Sequence, residues 1–545
     1  MIATLCKKIR SVKLTRPFIF WGILLTAMIA RYAFFGARYF PVVDDNNMYG
    51  VFSKYSSSYT LAASKMYTTR PVAALLDAYV FSRFWEHMFA LLVIMILLHF
   101  FCCVLLWKIF NMNPMKIGYV AVIIFGLLPF GNEATYWISA SSRIVVGLFF
   151  ALLSMYILML YIHHSENKKQ DLGYIIVFFV MNLISYGFYE QIIVVSFFGS
   201  LVLFWVNFRR MRNKLIMLVP LINLAFILSF YKYFGSVGNM ASRGQLVQKI
   251  YSEHIREFFS QIRLQLQNNQ IHMYKQGLFE GIRLILENRT FLFLIIAVAV
   301  SAMMVYLCRK EKYETGLKVN LIKFIAGVVL ILVPFAPFFL LDHILIANRN
   351  VFPSVIGIGL VVEACANFIS RGKYMAWLRG AVMGVLVLFF LIINAAEIND
   401  YRIVHNTDNK IISEFVTNLD QLEGGYSKNS IVVIFDTKNK YIDFISQKIG
   451  NCNSNDWAFM GALEAKTGRV PVRYVLPVAR NTRVALSEDK LRDAIYLGMN
   501  NENITMFPLK GNWDGGGRLE LTMPDGDIFG YVEVRSKDDL YFHQK

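Results

Sequence analysis

Tyr39-Phe40-Pro41-Val42-Val43-Asp44-Asp45-Asn46-Asn47 comes directly after an apolar run at 17–35, and that order governs the reading of the whole chain. A run of that length crosses a bilayer as one helix, so the two carboxylates stand where the chain leaves the membrane. Charge placed so near hydrocarbon carries a desolvation penalty, and structure alone gives no reason to incur it twice. A catalytic pair at a membrane surface accounts for it; an Asp-Asp turn or helix cap fits the same residues. Downstream, Thr69-Arg70-Pro71 opens a second apolar stretch, and Pro71 suits the first turn of a helix that returns to the membrane.

Working outward, the 545 residues are 56% hydrophobic and only 17% charged, with mean hydropathy +0.47, too apolar for a water-soluble protein of that length. Apolar runs of spanning length, or slightly short of it, lie near 17–35, 87–107, 117–131, 142–162, 173–187, 191–207, 215–233, 290–307, 320–341, 351–368 and 378–397. They predict a polytopic α-helical membrane protein of about 11 transmembrane helices. The runs at 117–131 and 173–187 are short, and broken by Pro129 or Gly187. The net charge of +18 gathers around these runs: from Asn399 onward 18 Lys+Arg face 20 Asp+Glu, which leaves 37 against 17 before it. That excess sets topology and meets anionic headgroups of the lipid bilayer; no nucleic-acid partner is called for. The six cysteines show neither a disulfide framework nor metal-ligand spacing.

The N-terminus and the alternate short loops Lys108–Lys116, Lys168/Lys169, Arg209–Lys214, Arg309–Lys318 and Arg371–Arg379 are basic, which places them in the cytoplasm and the tail outside. The first run resembles a signal peptide but ends in Arg31, aromatics and Arg38 without a small-residue cleavage site, so it reads as an uncleaved span. Two outer loops are long, at about 36–86 and 234–289. In the second, Tyr251, Ile255, Phe258, Ile262 and Leu266 recur at helical spacing among charged residues. That pattern predicts an amphipathic helix, lying in the membrane interface or packed on the protein's own outer part.

Composition changes abruptly at 399, which divides the chain into a membrane domain, 1–398, and a small extracytoplasmic α/β domain, 399–545. In the tail Ser430–Phe435 and Val470–Leu476 read as strands, and Lys438–Ile449 and Glu488–Met499 as helices. Gly515-Gly516-Gly517 has no helix after it and reads as a turn.

With that topology, polar residues collect on the outer edge: Asp44 and Asp45, Asn132 and Glu133, Arg143, the Tyr189-Glu190-Gln191 turn, and Asp342, His343 and Arg349. Each has a plainer reading as well. Glu190 suits a helix cap, Arg349 a headgroup contact, His343 an interfacial polar residue, and Arg143 a structural partner for Glu133. Taken together they suit transfer from a lipid phosphate. A carboxylate serves as general base toward an acceptor hydroxyl, arginines hold the departing phosphate, and apolar helices house the lipid tail.

A cytoplasmic N-terminus, an acidic pair in a long first outer loop, an amphipathic helix behind it, about 11 spans and an external C-terminal domain resemble the GT-C superfamily of membrane glycosyltransferases. Val43-Asp44-Asp45 with Thr69-Arg70-Pro71, Trp137-Ile138-Ser139-Ala140 and Tyr189-Glu190-Gln191 look most like bacterial enzymes that add side-chain sugars to surface polysaccharides. The resemblance covers about 1–397. It implies a polyprenyl-phosphate (undecaprenyl-phosphate) sugar donor and a surface polysaccharide acceptor at a bacterial plasma membrane. It also implies that Asp44 or Asp45 is the base. On that footing the catalytic candidates are Asp44, Asp45 and Glu190, and the phosphate-binding candidates Arg70, Arg349 and Arg143. Glu133, Trp137, Tyr189, Gln191 and His343 are the substrate-binding candidates. Asp-Asp here departs from the Asp-Glu of many relatives; some members of the superfamily require a divalent cation, and the expectation for this chain is no cofactor.

Two other classes remain in view. A polysaccharide polymerase or ligase would share the outer site but take a lipid-linked oligosaccharide. A lipid-linked saccharide flippase or transporter needs polar groups along a path through the bilayer and usually internal repeats; the central spans carry few ionisable groups, His99 and Glu363 being exceptions, and no repeat is evident.

Overall fold

The structure is a computed structural model that describes residues 16–113, 115–164, 168–234, 247, 250–288, 290–311, 316–342, 344–369, 373–422, 425–441, 450–514, 517–536 and 538–544. Contacts divide the chain into two compact units. The first comprises Met1–Arg38, Ala63–Leu76 and Phe89–Ile398, and the second Tyr39–Ala62, Asp77–Met88 and Asn399–Lys545.

The first unit is helical. Eight described helices are long and apolar enough to cross a membrane: Phe81–Asn111, Ile138–His163, Glu190–Asn207, Lys214–Phe234, Phe291–Lys310, Leu317–Phe339, Asn348–Phe368 and Tyr374–Asp420. Three of the eleven expected runs fold as helices without meeting that standard. Arg16–Ala30 has 15 residues and Tyr119–Leu127 nine, about 22 and 14 Å at 1.5 Å per residue, short of the ~30 Å of hydrocarbon. Lys168–Tyr186 is long enough but spends its first turn on Lys168-Lys169-Gln170-Asp171.

Tyr119–Leu127 is buried from Val120 onward and tied down at its start. Glu363 Oε2 accepts the Gly118 and Ala121 N–H groups at 2.8 and 3.1 Å, and Glu311 accepts that of Tyr119 at 2.9 Å. These are amides that a helix leaves unpaired at its N-terminus. The other Glu363 oxygen holds Lys323 Nζ at 2.8 Å, both side chains being buried.

The long loop after Phe234 gives helices Ser252–Leu264 and His272–Glu287, joined by the wider turn Gln265–Ile271. His254 and Phe258 face Phe339, His254 Nε2 lying 2.9 Å from its carbonyl, while Tyr251, Ile255, Phe259 and Leu266 are exposed. The apolar positions expected along one face are thus shared between protein contact and outward exposure.

In the second unit an eight-stranded sheet runs in the order β2-β1-β4-β5-β6-β7-β8-β3. β1 (Ile431–Thr437) lies between β2 (Tyr474–Ala479) and β4 (Ile495–Asn500), parallel to both. The rest is antiparallel: β5 (Thr505–Trp513), β6 (Arg518–Thr522), β7 (Ile528–Ser536), β8 (Asp539–Gln544) and the two-residue β3 (Arg483–Val484). β1 is covered on both faces, Val432 and Ile434 in one core with Phe415, Phe459 and Leu463, Val433 and Phe435 in another with Leu519 and Phe542. That double burial explains its unbroken apolar run. The helix expected at Glu488–Met499 is corrected: it ends at Arg492, and Ile495 onward alternates into β4, because Tyr496 and Leu497 must serve the two opposite cores. Of the helix expected at Lys438–Ile449, 438–441 are not helical and 442–449 lie outside the described residues.

Candidate functional site

Two docked turns assemble the polar cluster of the membrane unit. The first joins helix Pro71–Tyr79 to the turn before Glu190. Pro71 leaves the Val72 and Ala73 amides at the open helix end, and both donate to the Gly187 carbonyl, at 3.0 and 3.3 Å. Only glycine fits there, because a Cβ at 187 would stand 2.4 Å from Val72 Cγ2. Docking brings Arg70 onto Glu190, which opens helix Glu190–Asn207. The Arg70 Nη2 is 3.2 and 3.3 Å from the two Glu190 oxygens, and the guanidinium sits 4.5 Å from the centre of the Tyr189 ring. Arg70 is nearly buried, whereas the Glu190 side chain is 42% exposed.

The second turn precedes Glu133. Gly131 has φ +72, and a Cβ there would lie 2.7 Å from the Phe352 backbone nitrogen, so this position also demands glycine. The close approach sets Glu133 against the segment Asn348–Ser354. Glu133 Oε1 accepts Arg349 Nη1 at 2.5 Å, and Oε2 accepts the Arg349 backbone N–H at 3.1 Å. The same guanidinium lies 5.4 Å from the Trp137 ring centre. Trp137 is buried, and its indole N–H has no hydrogen-bond partner among the described residues.

Asn350 ties the two turns together. Its Nδ2 donates to the Tyr189 hydroxyl at 3.0 Å and to Gln191 Oε1 at 3.2 Å, while Gln191 Nε2 donates to the Asn350 and Pro334 carbonyls, both at 2.8 Å. Arg70 and Arg349 consequently feel each other's charge. Burial draws the Arg70 guanidinium down, but the Glu190 carboxylate and Tyr189 outweigh burial and Arg349 and hold it above its ordinary value. Arg143 comes in from helix Ile138–His164, Nη2 lying 3.9 Å from Met66 Sδ; the Met66 carbonyl accepts the Arg70 N–H at 2.9 Å. Arg70, Arg349, Arg143, Glu133, Glu190, Trp137, Tyr189 and Gln191 therefore gather within one unit. Gln191, fully buried with its amide committed to backbone and Asn350, is placed to hold the turns. Glu133 is given to Arg349, and His343 lies outside the described residues.

Asn132, next to Glu133, belongs to a further group whose other members, Arg31, Asn394 and Glu397, were not among the candidates. Asn394 Oδ1 accepts Arg31 Nε at 2.9 Å and Asn132 Nδ2 at 2.6 Å, and Asn132 also donates to Glu397. Arg31, Asn394 and Glu397 each close an apolar run, where polar residues are commonplace. The only available signal was the three-residue spacing of Asn394 and Glu397, which puts both on one helix face.

Asp44 and Asp45 belong to the second unit. Val43 holds φ +32, a left-handed conformation that a β-branched residue adopts only under constraint, and the chain then turns into the π-helical stretch Asn46–Val51. Asp45 is wholly buried; its carboxylate accepts from the Tyr39 hydroxyl and, at 3.4 Å, from the Val42 N–H. Asp44 is half-buried, and among the described residues its carboxylate has no hydrogen-bond or ion-pair partner. Among the described residues no group of three or more His, Cys, Asp or Glu side chains is placed to hold a metal ion.

No protein-family model matches the chain, and no curated protein matches it. Among solved structures the chain is similar to the crystal structure of ArnT from Cupriavidus metallidurans bound to undecaprenyl phosphate, over 95% of this chain and 97% of that one, at 11% sequence identity and a TM-score of 0.36.

Proposed function

We propose that the chain is a glycosyltransferase of a bacterial plasma membrane, hexosyl- or N-acetylhexosaminyl-, working on the outer face. It moves a sugar from an undecaprenyl-phosphate monosaccharide to a cell-surface polysaccharide or other cell-wall glycopolymer. The observation that carries this reading is the gathering of Arg70 against Tyr189 and Arg349 against Trp137, with Arg143 beside Met66, at the ends of apolar helices. Guanidinium groups recognise phosphate through paired N–H donors, and an aromatic face beside them suits the apolar face of a pyranose.

Arg70 and Arg349 take the donor phosphate in place of part of their carboxylate contacts. They offset the charge that grows on it as its bond to the anomeric carbon breaks. Asp44 is the general base. It accepts the acceptor hydroxyl's proton while that oxygen attacks the anomeric carbon, and the phosphate leaves with the bonding pair as undecaprenyl phosphate, inverting the sugar. Asp45, enclosed by Tyr39 and the Val42 N–H, fixes the turn. Glu190 orients Arg70.

The test is release of undecaprenyl phosphate in liposomes from a panel of undecaprenyl-phosphate monosaccharides, with cell-wall polysaccharide outside. Acceptor-dependent release that falls about 10²–10⁴-fold in Asp44→Asn, with donor binding retained, is the expected result. Wild-type turnover by Asp44→Asn removes the base assignment. Transbilayer movement of labelled lipid with no release from any donor replaces the transferase by a flippase.

A further inference from the structure

The turn that carries Asp44 does not hold its own shape. Val43 sits at φ +32, and the next residues form a π-helical stretch, a conformation seldom found without outside support. Strain of that kind persists only where neighbours over-determine it. Those neighbours come from a part of the chain more than 350 residues downstream, as the separations of 364 and 410 residues show.

Helix Asp456–Thr467 provides most of them. Phe459, Ala462 and Leu463 anchor one side of it in the core beneath β1, and Tyr474 of β2 donates to Asp456 at 2.6 Å. Another edge presents Trp457, Gly461 and Ala465, four residues apart and so in line along one face. The Trp457 carbonyl accepts Asn47 Nδ2 at 3.2 Å. At Gly461 the helix approaches Asn47 so closely that a Cβ would lie 2.1 Å from its Oδ1. Ala465 meets Gly50, where a Cβ would lie 2.5 Å from the alanine Cβ. At the far end Lys54 Nζ donates to the Glu464 and Ala465 carbonyls in the helix's last turn, the first of which also accepts the Gly468 N–H. The Tyr55 hydroxyl donates to Glu464 Oε1 at 2.6 Å, a contact that pushes the phenol up to about 12 and keeps it a donor. On the near side of the turn, His405 Nδ1 lies 3.0 Å from the Pro41 carbonyl.

We propose that helix Asp456–Thr467 is a positioning element for Asp44, which makes the C-terminal unit a working part of the transferase. The proposal rests on Asp44 being the base. The tail's sheet fixes the helix, the helix fixes the segment from Asn47 to Tyr55, and that segment holds Val43 in its strained conformation and with it the direction of the Asp44 carboxylate. The tail needs no direct contact with substrate to govern turnover.

The test uses the full chain in liposomes and the undecaprenyl-phosphate hexose on which the unmodified chain turns over. Lys54→Ala/Tyr55→Phe removes the polar clasp on Glu464. It is expected to lower kcat about tenfold and leave the donor KM unchanged. Into that background go Asn47→Cys and Gly461→Cys, at positions where a Cβ on 461 would lie 2.4 Å from Asn47 Cγ, so that the two side chains face each other for a cross-link. Oxidation is expected to restore at least half of kcat and reduction to remove it again, a reversal that mere loss of stability does not produce. Wild-type kcat in the clasp variant, failure of the cysteine pair to cross-link, or a cross-linked chain that stays slow overturns the proposal. Asp44→Asn measured alongside separates the two readings. If it is inactive while the clasp variant is not impaired, only the positioning role falls; if it turns over normally, the base assignment and the positioning role fall together.

Discussion

Glu363 performs two tasks at once, and removing it should cost far more than removing its partner. One oxygen is 2.8 Å from the Lys323 ammonium, and the other receives the Gly118 and Ala121 amides at 2.8 and 3.1 Å. Both side chains are 1% exposed. Breaking a buried ion pair from one side costs about 3–5 kcal/mol, because the charge left behind is uncompensated. Lys323→Met leaves a carboxylate that still accepts two amides at a helix N-terminus, so its cost belongs at the low end, about 3 kcal/mol. Glu363→Leu strands the ammonium and both amides. Each unpaired amide adds about 1–3 kcal/mol, which brings the total to about 5 kcal/mol or more. The double variant removes the stranded ammonium as well, and should be more stable than Glu363→Leu alone. The measurement is unfolding of the purified protein in mixed micelles of rising SDS content, followed by tryptophan fluorescence. If Lys323→Met destabilises as much as Glu363→Leu, the amide contacts contribute nothing and the account fails. The consequence reaches the site, because helix Tyr119–Leu127, too short to be stable by itself, leads through Gly131 into Asn132 and Glu133.

Further outcomes follow from the same geometry. Arg349→Ala should raise the donor KM about tenfold, the low end for a charge-assisted contact of about 1.5–3 kcal/mol because it replaces the one to Glu133, and Arg349→Lys should recover only part of it; equal rescue by lysine would show that paired N–H geometry is irrelevant. Gly131→Ala should destabilise by more than the ~1–2 kcal/mol of a left-handed alanine, since the Phe352 backbone cannot yield; thermal stability within about 0.5 kcal/mol of wild type would contradict the close approach. Turnover is expected to survive EDTA, and a loss reversed by added Mg²⁺ or Mn²⁺ would establish a divalent-ion requirement instead.

The legible parts of this chain were those whose physical cause is local. Spans declare themselves by unbroken hydrocarbon, and β1 by a run that is apolar at every position because both its faces are covered. Residues such as Glu133, Glu190 and Arg349 were visible as charges interrupting apolar sequence. Their pairing was not, because Arg70 meets Glu190 across 120 residues and Arg349 meets Glu133 across 216, and no periodic pattern encodes such a meeting. Gly131 and Gly187, which allow those meetings, look in sequence like ordinary turn glycines. The ranking of Asp44 against Asp45 was equally hidden. It depends on Tyr39 and Val42 enclosing one carboxylate and leaving the other half-open, and neighbours in sequence carry no mark of that difference.

The pairing of Arg70 and Arg349 with carboxylates also sets how the proposed donor would bind. Glu190 and Glu133 already neutralise Arg70 and Arg349, so an arriving phosphate exchanges one ion contact for another, and the gain is a difference between similar terms. The polyprenyl chain adds little, because a lipid already in the bilayer leaves surroundings as apolar as the helices it meets. Affinity expressed as mole fraction of membrane lipid should therefore follow the head and ignore the tail. Shortening the polyprenyl chain of a phosphate competitor in liposomes is expected to change its apparent Kd less than threefold, while Glu133→Gln, which weakens the resident contact, should shift it further. A steady rise in Kd with each isoprene removed would mean that a tail groove, and not the arginine cluster, supplies the binding energy.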